Sequence, residues 1–141
     1  MDLIDEKLIL ALQENGRAST ARLARLVGRS RTSVQSRIER LERQGVIVGF
    51  GVRLAPEHGL GAVRAHVMIN VGPKEARSVA AALRAIPQVR VLHSVSGDVD
   101  LIAVAATGSV AEMDQVIDRI GALDGVERTT SSIILSTKFE R

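Results

Sequence analysis

An α+β fold in two parts is predicted for this chain of 141 residues, and three observations predict it. Before residue 54, apolar residues recur at helical spacing in three short runs, each opened by a capping residue and closed near a glycine. From Ala62 onward, period-two runs alternate with helical ones in the order βαββαβ. Charge divides at the same place. Residues 1–54 carry ten Lys/Arg against six Asp/Glu and residues 55–141 carry nine against ten, within a net charge of +3.

The first helix spans about Asp2 to Glu14. Asp2 suits an N-cap, Asp5 follows three residues on near the positive end, and Ile4, Leu8, Ala11 and Leu12 make one apolar stripe closed by Asn15-Gly16. Ser19 opens a short second helix with Leu23, Leu26 and Val27 inward, stopped by Gly28. Ser30 caps a third helix, with Val34, Ile38 and Leu41 inward, ending at Gln44-Gly45. Only Gly28-Arg29 separates the second helix from the new cap. Two short helices across so tight a turn form a helix-turn-helix, whose second helix fits the DNA major groove. Val46 to Leu54 reads as an extended segment leaving this unit of residues 1–54, and residues 55–61, with Pro56 and Gly59, read as a linker.

Residues 62–141 make the second part. Ala62 to Val71 alternates, with Val63, Ala65, Val67, Ile69 and Val71 on one face and Arg64, His66, Met68 and Asn70 on the other. Gly72-Pro73 breaks the strand, and Pro73 suits the first turn of a helix reaching about Ile86. Val89–Ser96 and Leu101–Thr107 are strands across the turn Gly97-Asp98-Val99-Asp100. Ser109 and Glu112 then form a capping box for a helix carrying Val110, Met113, Ile117 and Ile120. After Asp124-Gly125 the last strand runs from Val126 to about Lys138. This order is the ferredoxin-like split βαβ arrangement, with both helices on one face of an antiparallel sheet. The other face, with Met68, Leu92 and Ile102 near polar neighbours, predicts packing on a second copy in a symmetric homodimer.

Composition excludes several functions. With no cysteine there is no disulfide, thiolate metal site or Cys catalysis, and three scattered histidines lack ligand spacing, so no metal or cofactor is expected. The chain has no Trp, no Tyr and two Phe. RNA-recognition domains of this topology stack bases on sheet aromatics, which are missing here. The longest apolar run, Leu101 to Ala106, is far below the ~18 residues of a membrane span. The acidic start Met1-Asp2 is unlike a signal peptide, so no membrane and a cytoplasmic location are expected.

Within Asn15–Gly45 there are eight arginines and two glutamates, a local excess suited to phosphate. Projected at 100° per residue, Thr32, Ser33, Gln35 and Ser36 lie outward or on the flanks of the third helix. Their side chains suit base edges, whereas Arg31, Arg37, Arg40 and Arg43 around them suit phosphates. Double-stranded DNA is the expected partner.

Six segments in order carry a family resemblance: Asp2-x-x-Asp5-x-x-Leu8-Ile9-Leu10-x-Leu12; Asn15-Gly16-Arg17; Leu23-Ala24; Val34-x-x-Arg37-Ile38-x-x-Leu41-Glu42-x-x-Gly45-Val46-Ile47; Ser96-Gly97-Asp98-Val99-Asp100; and Gly125-Val126 before a Thr/Ser-rich last strand. Nearly end to end, the chain resembles the leucine-responsive/asparagine-responsive (Lrp/AsnC) family of bacterial and archaeal transcription regulators. The resemblance implies a winged-helix-like DNA reader joined to an effector-sensing domain. It also implies dimers that assemble into tetramers, octamers or larger rings, and in many members a bound amino acid. It matches Arg37 to a motif arginine of the recognition helix and Gly97 and Asp100 to the family's Gly-x-x-Asp turn near the effector. Thr129, Thr130 and Ser131 match the hydroxyl-rich strand facing the same site. Asp98, Asp100 or Asp118 suits an ammonium group, and hydroxyls with backbone N–H groups suit a carboxylate. Val99 stands where the family commonly has an aromatic residue. An ordinary hairpin turn would use Gly97, Asp98 and Asp100 equally well.

Two other readings compete. A nucleoid-packing protein would use the same reader with little sequence preference. A haem-pathway decarboxylase resembling the sirohaem enzymes would share the two-part architecture and use Arg and His, and His66 and His93 could lie on neighbouring strands. No Ser/His/Asp set or orienting partner is visible, however, and no catalytic residue is assigned.

Overall fold

The computed structural model of the chain describes residues 1–55 and 61–139. It divides into two compact units, Met1–Arg53 and Leu54–Arg141. Most of the expected linker, and His58 with it, lies outside the described residues.

The first unit contains α1 (Leu3–Glu14), α2 (Thr20–Val27) and α3 (Arg31–Arg43). Asp2, Ser19 and Ser30 cap them, each side chain accepting backbone N–H groups of the first turn. The three helices end differently. Asn15 stays extended, and its side chain accepts from the Arg17 N–H at 3.0 Å, so α1 stops in an Asx turn rather than a left-handed cap. Gly28 closes α2 at φ +64. At the end of α3, Gly45 takes φ +69, its N–H donates to the Glu42 carbonyl, and the Val46 N–H donates to the Leu41 carbonyl, a complete Schellman closure. The chain then turns back and brings the Phe50 ring beside Gly16. Residues 46–54 contain no strand, so the expected wing has no paired strand among the described residues.

Leu8, Leu23, Ala24 and Val34 form the core of this unit, with Ile4, Ala11, Leu12, Ala18, Val27 and Ile38 against them. Leu26, expected inward, is exposed. With Leu23 facing the core, its i+1 and i+4 neighbours Ala24 and Val27 share that face and Leu26 falls on the flank.

The second unit has β1 (Val63–Val71), α4 (Ala76–Arg84), β2 (Val89–Ser94), β3 (Leu101–Thr107), α5 (Val110–Gly121) and β4 (Val126–Ile133). The sheet order is β2-β3-β1-β4 with all neighbours antiparallel, the ferredoxin-like arrangement. Ala65, Val67, Ile69, Leu101, Ala103 and Ala105 face Val79 and Leu83 of α4 and Met113, Val116 and Ile120 of α5. The alternation of β1 and β3 thereby puts both helices on one side.

Several expectations are corrected. Pro73 does not open α4. It occupies a turn closed by the Glu75 N–H on the Gly72 carbonyl at 3.0 Å, with Lys74 at φ +67 in the third position, and the helix begins only at Ala76. Strand β2 ends at Ser94 and β4 at Ile133, both earlier than expected. Leu92 pairs with Ala103 and joins the core, because a register shift between Val89 and Val91 sends Val91 and His93 to the open face instead. His66 and His93 are not on neighbouring strands, since β3 runs between β1 and β2. Ser109 caps α5 as expected, but Glu112 returns to the Gly108 N–H at 2.9 Å rather than to that of Ser109.

Two turn glycines provide a contrast. A Cβ on Gly97 (φ +110) would meet nothing within 4 Å, whereas on Gly125 (φ +91) it would sit 2.9 Å from the Glu75 Cβ and 3.0 Å from the Val79 Cγ2. Gly97→Ala is expected to cost about 1 kcal/mol from backbone strain alone, and Gly125→Ala at least about 2 kcal/mol because a clash adds to it. Denaturant titration of the two variants checks this, and equal midpoints would contradict the packing around Gly125.

Candidate functional site

The solvent side of α3 carries most of the predicted reading residues. Arg31, Thr32, Gln35 and Ser36 are exposed and line one groove with Thr20 and Glu39. The Gln35 amide donates to the Glu39 carboxylate at 3.0 Å, which holds both side chains across the groove floor. Ser33 is half-buried on the flank, outside the groove, with its N–H given to the Ser30 cap. Thr20 and Glu39 were not among the residues expected from sequence. Glu39 was within reach of the same helical projection, lying four residues after Gln35 and seven after Thr32. Thr20 enters from α2 and needs the tertiary fold. Hydroxyls, an amide and a carboxylate in one groove offer both donors and acceptors to base edges.

A second concavity, over the turn between α2 and α3, is lined by Arg25, Arg29 and Arg31 with Ala21, Ala24, Gly28 and Ser30. Three guanidinium groups around a tight turn form the cationic rim of the unit. Both Arg25 and Arg29 belong to the arginine-rich stretch Asn15–Gly45, and the tight turn at Gly28 brings them to Arg31.

Arg37 and Arg40, expected on phosphates, are turned the other way. The Arg37 Nη1 donates to Asp2 Oδ2 at 2.7 Å and to Asp5 Oδ1 at 2.8 Å, and the Arg40 Nη2 donates to Asp5 Oδ2 at 2.7 Å. The Asp5 side chain is 1% exposed, against 21% for Arg37 and 43% for Arg40. Three of these groups have shifted titration. The N–H of Asp5, then the Arg37 guanidinium, lowers the Asp2 carboxyl from 3.8 to about 2. Burial pushes Asp5 up, but the Asp2 N–H, Arg37 and Arg40 together outweigh it and the net shift is downward. The two carboxylates in turn raise Arg37. The sequence pointed to Asp5 only as a charge near the helix dipole, whereas it is the one buried acid of the unit.

In the second unit the Gly97–Asp100 turn is fastened to the end of β1. The Asp98 carbonyl accepts from the Asn70 amide at 2.7 Å, and the Asp100 carboxylate accepts from the Val71 N–H at 2.9 Å. The Asp100 N–H donates to the Ile69 carbonyl at 3.0 Å. Asp118 is exposed on α5. The three hydroxyls of β4 do not face one way. Thr129 and Ser131 pair with Ile69 and Val67 on the helix side, and Thr130 pairs with Met68 on the open face. Strand alternation separates them.

This arrangement has clear relatives. A family model described as the AsnC-type helix-turn-helix domain matches residues 1–42, and one described as the Lrp/AsnC ligand binding domain matches residues 64–141. The chain belongs to the Lrp/AsnC family. The HTH-type transcriptional regulator LrpA of Mycobacterium tuberculosis is 34% identical over 140 residues, covering 99% of this chain and 93% of that protein. Among solved structures, a transcriptional regulator of Neisseria meningitidis in complex with L-Met has a TM-score of 0.89 at 26% identity, covering 99% of this chain and 93% of that one. The feast or famine regulatory protein of M. tuberculosis, complexed with L-methionine, has a TM-score of 0.86 at 33% identity, covering 99% and 95%.

In this Lrp/AsnC chain, the depressed carboxyls of Asp2 and Asp5 set an acid limit on the first unit. A carboxyl held below its ordinary value stabilises the fold above about pH 4 and loses that contribution as pH falls through the folded-state value. Helical circular dichroism in a pH series is therefore expected to show the melting temperature of this unit falling between about pH 4 and pH 2. Asp2→Asn is expected to flatten that fall, and an unchanged slope in the variant would contradict it.

Proposed function

We propose that this protein is a sequence-specific transcriptional regulator of the Lrp/AsnC type. It reads duplex DNA through the major groove as a homo-oligomer and responds to an amino acid or similar small effector. The observation that carries the reading is the groove of Arg31, Thr32, Gln35, Ser36 and Glu39 on α3, bordered by the arginines of the α2–α3 turn. Arg31 and the turn arginines Arg25 and Arg29 meet phosphates, while Thr32, Gln35, Ser36 and Glu39 meet bases, with Ser33 at the edge of the contact. One helix reads few base pairs, and a two-fold dimer doubles the site.

The open face of the sheet supports the dimer. It presents Val91, which is 43% exposed, with half-buried Met68, Ile102 and Val104 among His66, His93 and Thr130. The effector site we propose centres on Gly97, Asp98, Asp100 and Asp118. Asp98 and Asp118 suit an ammonium group, and hydroxyls of Thr129, Thr130 and Ser131 are contributed from the two faces of β4. Complexes of two relatives with L-methionine support an amino-acid effector. We place the protein in the cytoplasm, where its DNA partner is, and no helix of the described residues is long and apolar enough to cross a membrane.

Gel shift of own-promoter against random duplex across a salt series tests the DNA reading. A regulator keeps its discrimination where random DNA has dissociated, and equal loss on both would favour a packing protein. Gln35→Ala and Ser36→Ala are expected to cost about 1–3 kcal/mol on the preferred site and to relax base preference. Thermal-shift screening against the amino acids, L-methionine included, is expected to raise the melting temperature with at least one. Light scattering is expected to find at least a dimer at micromolar concentration.

A further inference from the structure

Two of the arginines on α3 do not serve the groove, and the reason lies in α1. We infer that Asp2 and Asp5 are built-in counter-ions of the recognition helix, which hold Arg37 and Arg40 against α1 and keep these two charges off the DNA phosphates. The inference rests on the reading of α3 as the DNA-binding helix.

The geometry favours retention. Asp5 uses both oxygens, one for Arg37 at 2.8 Å and the other for Arg40 at 2.7 Å, and the second also accepts the Asp2 N–H at 3.0 Å. Arg37 is shared between two carboxylates through one nitrogen. Moving either arginine to a phosphate would leave a carboxylate with almost no access to water short of a partner, and that penalty exceeds the gain of an exposed ion pair. On the helix wheel, Arg37 and Arg40 lie on the flank opposite Gln35 and Arg31, away from the groove that Thr32 and Glu39 share. The pairs also fix α3 against α1, so Asp5 is a positioning residue for the reading face. A consequence follows for specificity. Non-specific affinity scales with the number of phosphates neutralised, so withholding two cations lowers binding to random DNA more than discrimination between bases.

The test is the salt dependence of binding by the full chain to a random duplex. Asp5→Asn is the informative variant, because it removes the one carboxylate that holds both arginines and leaves the Asp2 cap of α1 in place. Provided circular dichroism shows the variant folded, it is expected to steepen the slope of log K against log salt by at least about 0.9 and to tighten random-duplex binding about tenfold at 50 mM salt. Asp2→Asn, which keeps a capping side chain, is expected to leave the slope near that of the wild type, because Asp5 still holds Arg37. Arg40→Gln is expected to leave the slope unchanged, whereas Arg31→Gln lowers it by about one. A folded Asp5→Asn variant with an unchanged or shallower slope overturns the inference. So does a fall of about one unit in Arg40→Gln, which decides the matter if Asp5→Asn does not fold. A wild-type chain that binds no duplex at any salt overturns the DNA reading itself, which is a separate result.

Discussion

A carboxylate shut away from water has to be neutralised where it stands, and Asp5 is in that position. Its two oxygens take a guanidinium from each of two consecutive turns of α3, and its neighbour Asp2 accepts a second bond from the same Nη1 of Arg37. Removing a partner would expose the full cost of a buried charge, so the crossing of α1 over α3 has one satisfactory arrangement. Everything offered to solvent by α3 follows from that arrangement. With Arg37 and Arg40 held against α1, the exposed side of α3 is left to hydroxyls, an amide, the carboxylates of Glu39 and Glu42, and the arginines Arg31 and Arg43.

The elements themselves were legible because their signals are local. Asp2, Ser19, Ser30 and Ser109 each cap the helix that follows them, and β1 alternates inward Ala65, Val67 and Ile69 with outward Arg64, His66, Met68 and Asn70. The misreadings share another cause, which is that the deciding partner lies far away in sequence. Leu92 faces the core against simple alternation because a register shift at the start of β2 inverts it. Pro73 is compatible with either a turn or a first helical turn, and the left-handed Lys74 that decides between them has no sequence signature. Asp5, Arg37 and Arg40 look like surface charges until α1 is laid on α3. The groove was half legible: Arg31, Thr32, Gln35 and Ser36 follow from helical projection, but Thr20 needs the packing of α2.

In the second unit, the sheet order imposes its own constraint. Strands β1 and β3 lie at the centre and share a buried face of small and branched residues, so both helices must pack there. The opposite face is left with a short apolar stripe among histidines and hydroxyls. The edge strand β4 alternates its hydroxyls between the two faces, so a ligand using both sets must approach that edge rather than either surface.

The Schellman closure at Gly45 bears on how α3 meets a partner. Ser30 satisfies the first turn and the carbonyls of Leu41 and Glu42 are satisfied by the last, so neither end of this thirteen-residue helix is left to fray. A recognition element that must be ordered on contact gives up part of its interaction energy to lost conformational entropy. Here both ends of α3 are already capped within the chain itself, so less of that ordering is left to be done on contact.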